Sequence, residues 1–485
     1  MGLYLGIDIG GTVTKAGVYD ESGNELYIAE QNSDVIKLQP GFTERNMDEL
    51  WQTATALIRQ CVAARGNDIS GISFSSHGKG LYAVNKQGLP VRNGIISSDT
   101  RCETMVKSWE ESGLLNKTYD RGLQQLWTGH PVALLAWLKE YERDNYDSID
   151  SILMVHDYVR FMMTGELSAE ITNISGSNLY NPIKGDYDPS LMADFNLAEC
   201  EDKTAPIINS AQLSGKVTTQ CAKLTGLKVG TPVFGGLFDV VAAGITSCIS
   251  DPSVISAVAG TWTITTMVCD EISRDNYPYI WGNYCIPGKY FVHEGSPTSA
   301  SNLAWFKSQC FDDMSWDEIN AAFTTASRQE SLYFLPYLYG SNFSTGMPGG
   351  LIGLRGHHTK NDIIRAVYEG IVFSHLRHQD RIISLNPQVE KIRFTGGPTH
   401  SLPWMQLFAD ASGLPLEIID IQQSGCRAAA LCAAVGAGEY HDFAEAMQAT
   451  MPPVINVEPN IHTFDEVRSR YAKFTEINQK ISELY

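Results

Sequence analysis

Four glycine-rich turns, each beside a short apolar segment, constrain the fold of this chain more than any other feature of its sequence. They are Gly10-Gly11, Gly235-Gly236, Gly260-Thr261 and Gly396-Gly397. Glycine reaches backbone conformations that other residues avoid, and it lets other groups approach the backbone closely. A single turn of this kind is common. Four in this order, two in each half of the chain, are hard to attribute to chance and describe a nucleotide held between two hairpins.

Strand and helix patterns alternate along the chain, which predicts an α/β fold. Residues 3–9 and 13–19 have the pattern of two strands joined by a tight turn. Helical spacing of apolar residues predicts a helix from about residue 47 to about 64 and a long one from about 361 to 383.

Length and composition predict a two-domain cytoplasmic protein. The 485 residues exceed what one hydrophobic core usually serves, and we place the boundary so that the domains are 1–247 and 248–485. The net charge of −19 argues against a nucleic-acid partner, which requires clustered Lys and Arg. The ten cysteines form no CxxC pair, and no signal peptide or membrane-length apolar run is found. We therefore expect reduced thiols, no membrane partner and a cytoplasmic location.

The first turn has the residue types of a phosphate-binding hairpin, with Lys15 closing the motif. Gly10 and Gly11 let backbone N–H groups approach phosphate oxygens, and Thr12 adds a hydroxyl donor. Asp8 offers a hard oxygen ligand suited to Mg²⁺. A dinucleotide-binding fingerprint or a P-loop would lead into a helix, whereas this turn leads into a strand. An ordinary tight hairpin is the alternative.

The second turn leads directly to Asp239, at the start of a predicted small-residue helix. A base that removes a proton from a hydroxyl group must be ionised and close to that group. The positive end of a helix dipole favours the ionised form. Asp239 is therefore a candidate general base and substrate ligand, and a simple N-cap is the alternative.

Two further segments offer candidate substrate ligands. Ser76 and His77 lie in a polar loop after the short strand 71–74, and a locally bonded loop histidine is the alternative. Asp99 is a candidate substrate ligand with Arg101 as its supporting ion-pair partner, and an ordinary surface turn is the alternative.

The chain as a whole resembles the FGGY carbohydrate kinases, from Tyr4 to beyond Gly438. The most specific segments are Gly349-Gly350-Leu351-Ile352-Gly353-Leu354, Asp362-Ile363-Ile364-Arg365-Ala366-Val367-Tyr368-Glu369, and Thr395-Gly396-Gly397 followed by Trp404-Met405-Gln406-Leu407-Phe408-Ala409-Asp410. The resemblance implies two ribonuclease-H-like domains of the actin and sugar-kinase superfamily around a deep nucleotide cleft. The N-terminal domain would hold the sugar site, the phosphate-binding hairpin and the catalytic Asp, and the C-terminal domain the adenine nucleotide site.

The same resemblance implies ATP and Mg²⁺ as cofactors and gives roles to matching residues. Asp239 would be the general base, Asp8 would organise Mg²⁺, and His77 would bind the sugar. The expected ATP-binding residues are Gly10, Gly11, Thr12, Lys15, Gly260, Thr261, Gly396 and Gly397. Ser76, His77, Asp99 and Asp239 are the expected substrate-binding residues.

Three positions depart from the family pattern. Leu134 stands where a Lys is usual, and Ser97-Ser98-Asp99-Thr100-Arg101 replaces a common Trp-x-Asp-x-Arg motif. Arg427 stands where the last core helix usually has Gly. The first two lie on the substrate side, so they bear on which substrate is used and not on the reaction type.

Within the family, several runs are most similar to those of bacterial L-xylulose kinases, among them Ser75-Ser76-His77-Gly78-Lys79-Gly80. This implies phosphorylation of L-xylulose or another ketopentose at a terminal hydroxyl group. Another sugar, a polyol or gluconate is the alternative substrate. A catalytically inactive sugar or nucleotide sensor and a chaperone-like ATPase are alternatives of a different class. Family analogy also implies a homodimer.

Overall fold

A computed structural model describes residues 2–260, 262–273, 278–326, 331–341, 343–344 and 346–484. It contains two compact units, each assembled from three segments of the chain. The first consists of Met1–Ser250, Cys269–Val292 and Gln423–Met451, and the second of Asp251–Val268, His293–Gln422 and Pro452–Tyr485. The first changeover, after Ser250, lies close to the boundary expected after residue 247. The division into 1–247 and 248–485 itself stays a prediction.

Strands and helices are interspersed along the chain. Their bounds are β1 Leu3–Ile9, β2 Val13–Asp20, β3 Glu25–Asn32, β4 Glu44–Arg45, β5 Gly71–Ser76, β6 Gly94–Ile95, β7 Ala169–Glu170, β8 Tyr180–Asn181, β9 Asp186–Tyr187, β10 Ile207–Ile208, β11 Leu213–Lys216, β12 Pro232–Phe234, β13 Leu237–Phe238, β14 Val254–Ala259, β15 Thr263–Cys269, β16 Ile280–Asn283, β17 Tyr290–Ser296, β18 Tyr333–Leu335, β19 Gly350–Ile352, β20 Lys391–Thr395, β21 Leu416–Ile419 and β22 Val454–Val457.

The helices have the following bounds: α1 Met47–Arg65, α2 Glu103–Glu111, α3 Leu114–Gly122, α4 Pro131–Tyr141, α5 Arg143–Ser148, α6 Val155–Thr164, α7 Ile171–Ile174, α8 Pro189–Asp194, α9 Thr219–Thr225, α10 Asp239–Thr246, α11 Ala300–Cys310, α12 Trp316–Thr325, α13 Lys360–Leu385, α14 Leu402–Ser412, α15 Ser424–Gly436, α16 Phe443–Ala449 and α17 Ile461–Ser482. Short 3-10 helices occupy Ala198–Lys203 and Gly397–His400.

The main sheet of the first unit has the strand order β11-β12-β5-β1-β2-β3, with β13 also paired to β5. The central strand β1 runs antiparallel to its hairpin partner β2 and parallel to β5. Strand β5 therefore lies between β1 on one side and β12 and β13 on the other. This mixed sheet places the ends of β1, β5 and β13 side by side.

The second unit repeats this arrangement. Its sheet contains the order β17-β15-β14-β20-β21-β22. Strand β14 runs antiparallel to β15 and parallel to β20, as β1 does to β2 and β5. Helix α13 is buried along most of its length, and Phe394 of β20 contacts Phe408 of α14 with 4.6 Å between ring centroids. The predicted α/β fold with two domains is confirmed.

Helices cover both faces of the first unit's sheet. On one face, Leu5 and Ile7 of β1 belong to a core cluster with residues of α1. On the other face, Tyr4 packs with Cys426 of α15. At Gly6 the helix backbone lies directly on the strand, because a Cβ there would be 1.9 Å from the Cys426 carbonyl oxygen. Glycine is therefore required at this strand position by close backbone approach.

Within the described ranges, no helix has both the length and the apolar character needed to cross a bilayer.

Replacing Gly6 with alanine is expected to destabilise the protein by about 3 kcal/mol, near the upper end of what overpacking costs. The new methyl group would overlap the Cys426 carbonyl oxygen and lie 2.8 Å from the Ala430 nitrogen, so α15 would have to move. Urea unfolding measures the change. Gly356→Ala is the control, since a Cβ at Gly356 meets open space. Equal stability of both variants would contradict the close packing.

Candidate active site

The first glycine turn joins β1 to β2 as a tight hairpin. The Gly10 N–H donates to the Val13 carbonyl oxygen at 2.9 Å, and Thr12 at the tip is exposed. Gly11 has open space where a side chain would begin, so a ligand can approach its backbone. The hairpin alternative is thus correct about local structure, and it leaves the phosphate-binding prediction untested.

A buried arginine holds this turn from the protein side. The Arg45 guanidinium donates to the carbonyl oxygens of Gly10 and Gly11 at 2.9 and 2.7 Å. Both carbonyls are therefore committed to the protein interior. Other nitrogens of the same guanidinium, Nε and Nη1, are buried without a hydrogen-bond partner. The sequence analysis did not single out Arg45, because no local pattern connects it to a turn 34 residues earlier.

Asp8, near the end of β1, lies at the beginning of α15. A Cβ on Gly425, the second residue of that helix, would be 2.3 to 2.6 Å from the Asp8 carboxylate atoms. The Lys15 ammonium, across the hairpin from Asp8, donates to the Gln423 side-chain oxygen at 2.7 Å. Burial raises the pKa of Asp8, and the Ser75 hydroxyl and Lys15 oppose that rise. Asp8 thus faces the positive end of a helix dipole.

Asp239 is the first residue of α10 and follows directly on β13. Phe238 occupies the N-cap position, so Asp239 is not the cap. The Phe238 N–H donates to the Thr172 hydroxyl at 2.8 Å, and the Thr172 hydroxyl donates to Glu170 at 2.7 Å. These buried bonds fix where α10 begins. The Asp239 side chain itself is exposed.

The electrostatic surroundings of Asp239 give it an unusual pKa. Desolvation by the surrounding protein and the nearby charge of Asp8 raise the pKa of Asp239 to about 7, while Lys79 and the Val240 N–H oppose the rise. Strand pairing explains why these groups meet. Ser75 of β5 is in register with Asp8 of β1 and with the residue two before Asp239. The structure therefore brings Asp8 and Asp239 together on either side of β5.

The loop after β5 carries Ser76 and His77. The His77 N–H donates to the Ile9 carbonyl oxygen at 3.1 Å, and its Nε2 lies 3.2 Å from the Tyr82 hydroxyl. Burial, followed by Arg45, lowers the pKa of His77 to about 4, so the ring is neutral at neutral pH. The alternative of a locally bonded histidine is compatible with these contacts, and the sugar-binding role stays a prediction.

The Ser76 hydroxyl is committed to the protein interior. It is fully buried and lies 2.7 Å from His156 Nδ1, and the Asn173 side-chain amide donates to it at 3.3 Å. A direct bond from this hydroxyl to a substrate stays a prediction. Its observed contacts position the loop that carries His77.

Asp99 and Arg101 form a fully buried ion pair, so the alternative of a surface turn is wrong. The Arg101 Nε lies 2.9 Å from Asp99, and the same guanidinium donates to Glu44 at 2.7 Å. The second Asp99 oxygen accepts the Thr43 N–H at 2.6 Å. The predicted ion pair is present, whereas the role of Asp99 as a substrate ligand stays untested.

Lys79, two residues after His77, is a candidate functional residue that the sequence analysis did not single out. Only 3 % of it is exposed, and its backbone φ is +61°. Its ammonium lies 5.0 Å from the Trp127 ring centroid and 4.9 Å from that of Phe238. Burial lowers the pKa of Lys79 to about 8, and Asp239 opposes that shift. Lys79 and Asp239 are therefore electrostatically coupled.

The second unit contains the other two predicted turns. The Gly260 N–H donates to the Trp262 carbonyl oxygen at 3.0 Å, and its own carbonyl accepts the Ala300 N–H at the start of α11. Thr261 lies outside the described residues. Gly396 has φ of +108°, and a Cβ there would be 2.2 Å from the Ala259 carbonyl oxygen, so only glycine fits.

Beside Gly397 the second unit has a largely apolar cavity of about 430 Å³. Its lining includes Leu303, Tyr368, Gly397 and Trp404. The Tyr368 and Trp404 rings lie 4.6 Å apart. A cavity with aromatic walls and a few polar groups at its edge suits a flat heterocycle.

The described part of the chain contains no magnesium site built from protein ligands alone. Among the residues that the structure describes, no group of three or more His, Cys, Asp and Glu side chains could hold a metal ion. Asp8 and Asp239 are nevertheless close enough for Asp8 to raise the pKa of Asp239. Two carboxylates in this relation fit a Mg²⁺ ion that takes its remaining ligands from water and phosphate.

Comparison with known proteins assigns both halves of the chain to one family. The model of the N-terminal domain of the FGGY family of carbohydrate kinases matches residues 3–246, and that of its C-terminal domain matches 255–437. The chain is 43% identical over 477 residues to the L-xylulose/3-keto-L-gulonate kinase of Escherichia coli, covering 97% of this chain and 95% of the relative. It is 41% identical over 488 residues to a probable L-xylulose kinase of Pasteurella multocida, covering all of both chains.

The fold of the chain also matches that of a solved sugar kinase. The crystal structure of a ligand-bound xylulose kinase from Lactobacillus acidophilus matches with a TM-score of 0.94 and 21% sequence identity, covering 99% of each chain.

Asp99→Ala is expected to destabilise the protein by about 3–5 kcal/mol, because it leaves the buried Arg101 charge without one of its two carboxylates. The control is Asp147→Ala, which breaks an exposed i,i+4 pair with Arg143 and should cost no more than about 0.5 kcal/mol. Chemical denaturation of both variants measures the difference. If Asp99→Ala were as stable as the control, the ion pair would not support the fold.

Proposed function

Because the chain belongs to the FGGY family of carbohydrate kinases, we propose that it transfers the γ-phosphoryl group of ATP to a terminal hydroxyl group of L-xylulose. The protein is a carbohydrate kinase, and kinases of this family use ATP. The choice of acceptor rests on the relatives from E. coli and P. multocida, both named for L-xylulose. The observation that carries the mechanism is the position and the raised pKa of Asp239.

Asp239 acts as the general base in this proposal. A base works best when its pKa lies near the operating pH, since it is then ionised and still accepts a proton readily. The Asp239 pKa of about 7 meets that condition. Its exposed carboxylate at the first position of α10 can reach a bound sugar. It would accept the hydroxyl proton as that oxygen bonds to phosphorus.

The first hairpin would bind phosphate groups. Its two glycine carbonyls are held by Arg45, and Gly11 leaves room for a ligand close to the backbone. Thr12 and Lys15 would add a hydroxyl donor and a positive charge. Phosphoryl transfer depends mainly on such positioning and on charge stabilisation.

In the second unit, Gly260 and Thr261 would also bind phosphate. Gly396 and Gly397 would line the adenine and ribose side, where the 430 Å³ cavity has aromatic walls.

Mg²⁺ would be held by Asp8, through water or directly, with Asp239 nearby. Its charge would offset the negative charge on the phosphate oxygens. The residues themselves fit this role: desolvation by the surrounding protein and the Asp8 charge both raise the Asp239 pKa, and a cation would relieve the repulsion between the two carboxylates.

A cytoplasmic location and a homodimer are part of the proposal. All ten cysteines are free thiols, and only Cys310 among them is exposed, which suits a reducing compartment. The homodimer rests on family analogy alone.

The substrate is tested by ADP release with Mg-ATP against ketopentoses, aldoses, polyols and gluconate. Strong stimulation by L-xylulose is the expected result. Stimulation by a different sugar would keep the kinase and discard this acceptor. If the protein binds ATP but no acceptor stimulates ADP release, an inactive sensor is favoured. If ADP is released at the same rate without any sugar, an ATPase is favoured.

Asp239→Asn is expected to lower kcat by about 10²- to 10⁴-fold, the usual contribution of general-base catalysis, while L-xylulose still binds. Steady-state kinetics and calorimetric titration separate the two effects. The control is Asp68→Asn, at an exposed residue paired with Lys228 on the same unit. Turnover within a few-fold of the parent protein in Asp239→Asn would remove the base assignment.

The rate should depend on pH through the same group. As the pH falls below about 7, Asp239 takes up a proton and can no longer act as a base. We therefore expect kcat/KM for Mg-ATP, which reports the free enzyme before its metal is bound, to fall tenfold per pH unit on the acid side. His77, with a pKa of about 4, stays neutral there and adds nothing. A profile that stays flat down to pH 5 would contradict this.

A further inference from the structure

Glu170 is a fully buried carboxylate that the proposed mechanism does not use. Its two oxygens accept the Thr172 N–H at 3.0 Å, the Thr172 hydroxyl at 2.7 Å, the Asn173 N–H at 3.2 Å and the Ser210 hydroxyl at 2.7 Å. Its one ion-pair partner among the described residues is His156, whose Nε2 lies 3.8 Å away. Burial lowers the pKa of His156 to about 4, so this partner is neutral and the carboxylate is held by hydrogen-bond donors.

Neither helix capping nor stability accounts for this carboxylate. Glu170 is the N-cap of α7, but a cap needs only the two backbone N–H groups, and here two hydroxyl donors are added. Burial raises the pKa of Glu170 to about 7, which shows the cost of the charge, while its donors oppose the rise. Well-packed apolar residues often serve a fold equally well. The carboxylate instead fixes the positions of the segments that carry its donors.

Two of the donors hold the short strand that leads to the candidate base. The Thr172 hydroxyl, which donates to the carboxylate, accepts the Phe238 N–H at 2.8 Å. Ser210 donates to the carboxylate through its hydroxyl, and its carbonyl oxygen accepts the Gly236 N–H at 3.0 Å. Strand β13 is therefore held from both sides immediately before Asp239.

Another donor holds the loop that carries the candidate sugar ligands. Asn173 donates its N–H to the carboxylate, and its side-chain amide donates to the Ser76 hydroxyl and to the His77 carbonyl oxygen, both at 3.3 Å. Thr172 and Asn173 are neighbours in α7, and both are buried. All these residues belong to the first unit. One carboxylate thus connects the strand before the base with the loop after β5.

We propose that Glu170 is a positioning residue for phosphoryl transfer, which holds the general base and the sugar-binding loop in register with each other. A base arm runs through Thr172 to the start of α10, and a sugar arm runs through Asn173 to the His77 loop. The inference rests on the proposed function, because it takes Asp239 as the base. Such positioning matters, since a misplacement of about 1 Å can lower the rate of an enzyme reaction roughly 100-fold.

Thr172→Val tests the base arm, and Thr172→Ser is its conservative counterpart. Valine has nearly the shape of threonine but no hydroxyl, so the buried Phe238 N–H loses this acceptor, whereas serine keeps it. We expect Thr172→Val to lower kcat about 10- to 100-fold and to change L-xylulose binding less than about threefold. Thr172→Ser should restore most of the lost rate. Steady-state kinetics and calorimetric titration measure the two quantities.

Asn173→Leu tests the sugar arm. Leucine has a similar size but donates no hydrogen bond, so the His77 loop is no longer held. We expect the opposite split, with L-xylulose binding weakened about tenfold and kcat changed less than about threefold. Glu170→Gln replaces one carboxylate oxygen by an amide group that accepts nothing, and it should impair both quantities. If Glu170→Gln does not fold, the two single-arm variants decide alone, because each keeps the carboxylate.

A purely structural role would give a different pattern. Thr172→Val and Asn173→Leu would then lower kcat and L-xylulose binding by equal factors, and that result would overturn the proposal. A Thr172→Ser variant as impaired as Thr172→Val would also overturn it, because the hydroxyl would not be the group that matters. Thermal unfolding of each variant confirms that the samples compared are folded.

Measurements without turnover separate this proposal from the proposed function. The Asp239 carboxyl resonance, identified by its absence from Asp239→Asn, should titrate at a shifted pH in Thr172→Val and at the parent pH in Thr172→Ser. If this shift is found, with L-xylulose binding weakened only in Asn173→Leu, and the parent protein phosphorylates no sugar, the kinase reaction fails while the positioning role stands. If the parent protein phosphorylates L-xylulose and neither arm variant alters kcat or binding, the positioning role fails while the function stands.

Discussion

The close approach of helix α15 to the central strand β1 determines the geometry of the first unit. Gly6 has no side chain, so the helix backbone lies on the strand itself. Two residues further along the same face, the Asp8 carboxylate lies over Gly425 at the start of that helix. Any larger residue at Gly6 or Gly425 would push apart the contact that places Asp8. The same close contact therefore determines both how α15 packs on the sheet and where the Asp8 carboxylate lies.

Strand β5 sets the position of the second carboxylate, that of Asp239, relative to Asp8. Because β5 pairs with β1 on one side and β13 on the other, the Asp8 and Asp239 side chains are brought near each other. The Phe238 N–H at the end of β13 donates to the Thr172 hydroxyl, and the Ser76 hydroxyl at the end of β5 bonds to His156, so buried hydrogen bonds fix both strand ends. The exposed Asp239 carboxylate is thus supported by buried polar groups that hydrogen-bond to one another. General-base catalysis and phosphoryl transfer both require catalytic groups that are held in position before the substrate binds.

Sequence patterns predicted those features that depend on neighbouring residues in the chain, namely helices, strands and turns. The long helix expected at 361–383 is α13, Lys360–Leu385, and the glycine turns follow the strands as expected. Contacts between distant segments were not predictable. Gly425 lies over Asp8 although more than 400 residues separate them, and nothing in either segment signals the other. Lys79 appeared only as part of a polar loop, because spacing does not reveal that a charge is buried between Trp127 and Phe238.

The central claim is that desolvation by the surrounding protein and the charge of Asp8 raise the pKa of Asp239 into the neutral range. It is tested most directly by NMR titration of the aspartate side-chain carboxyl carbons in the parent protein and in Asp239→Asn. The account predicts one resonance that titrates near pH 7 and is missing from the variant. If no aspartate carboxyl titrates above about pH 5, which is within the usual range for this side chain, the account is contradicted.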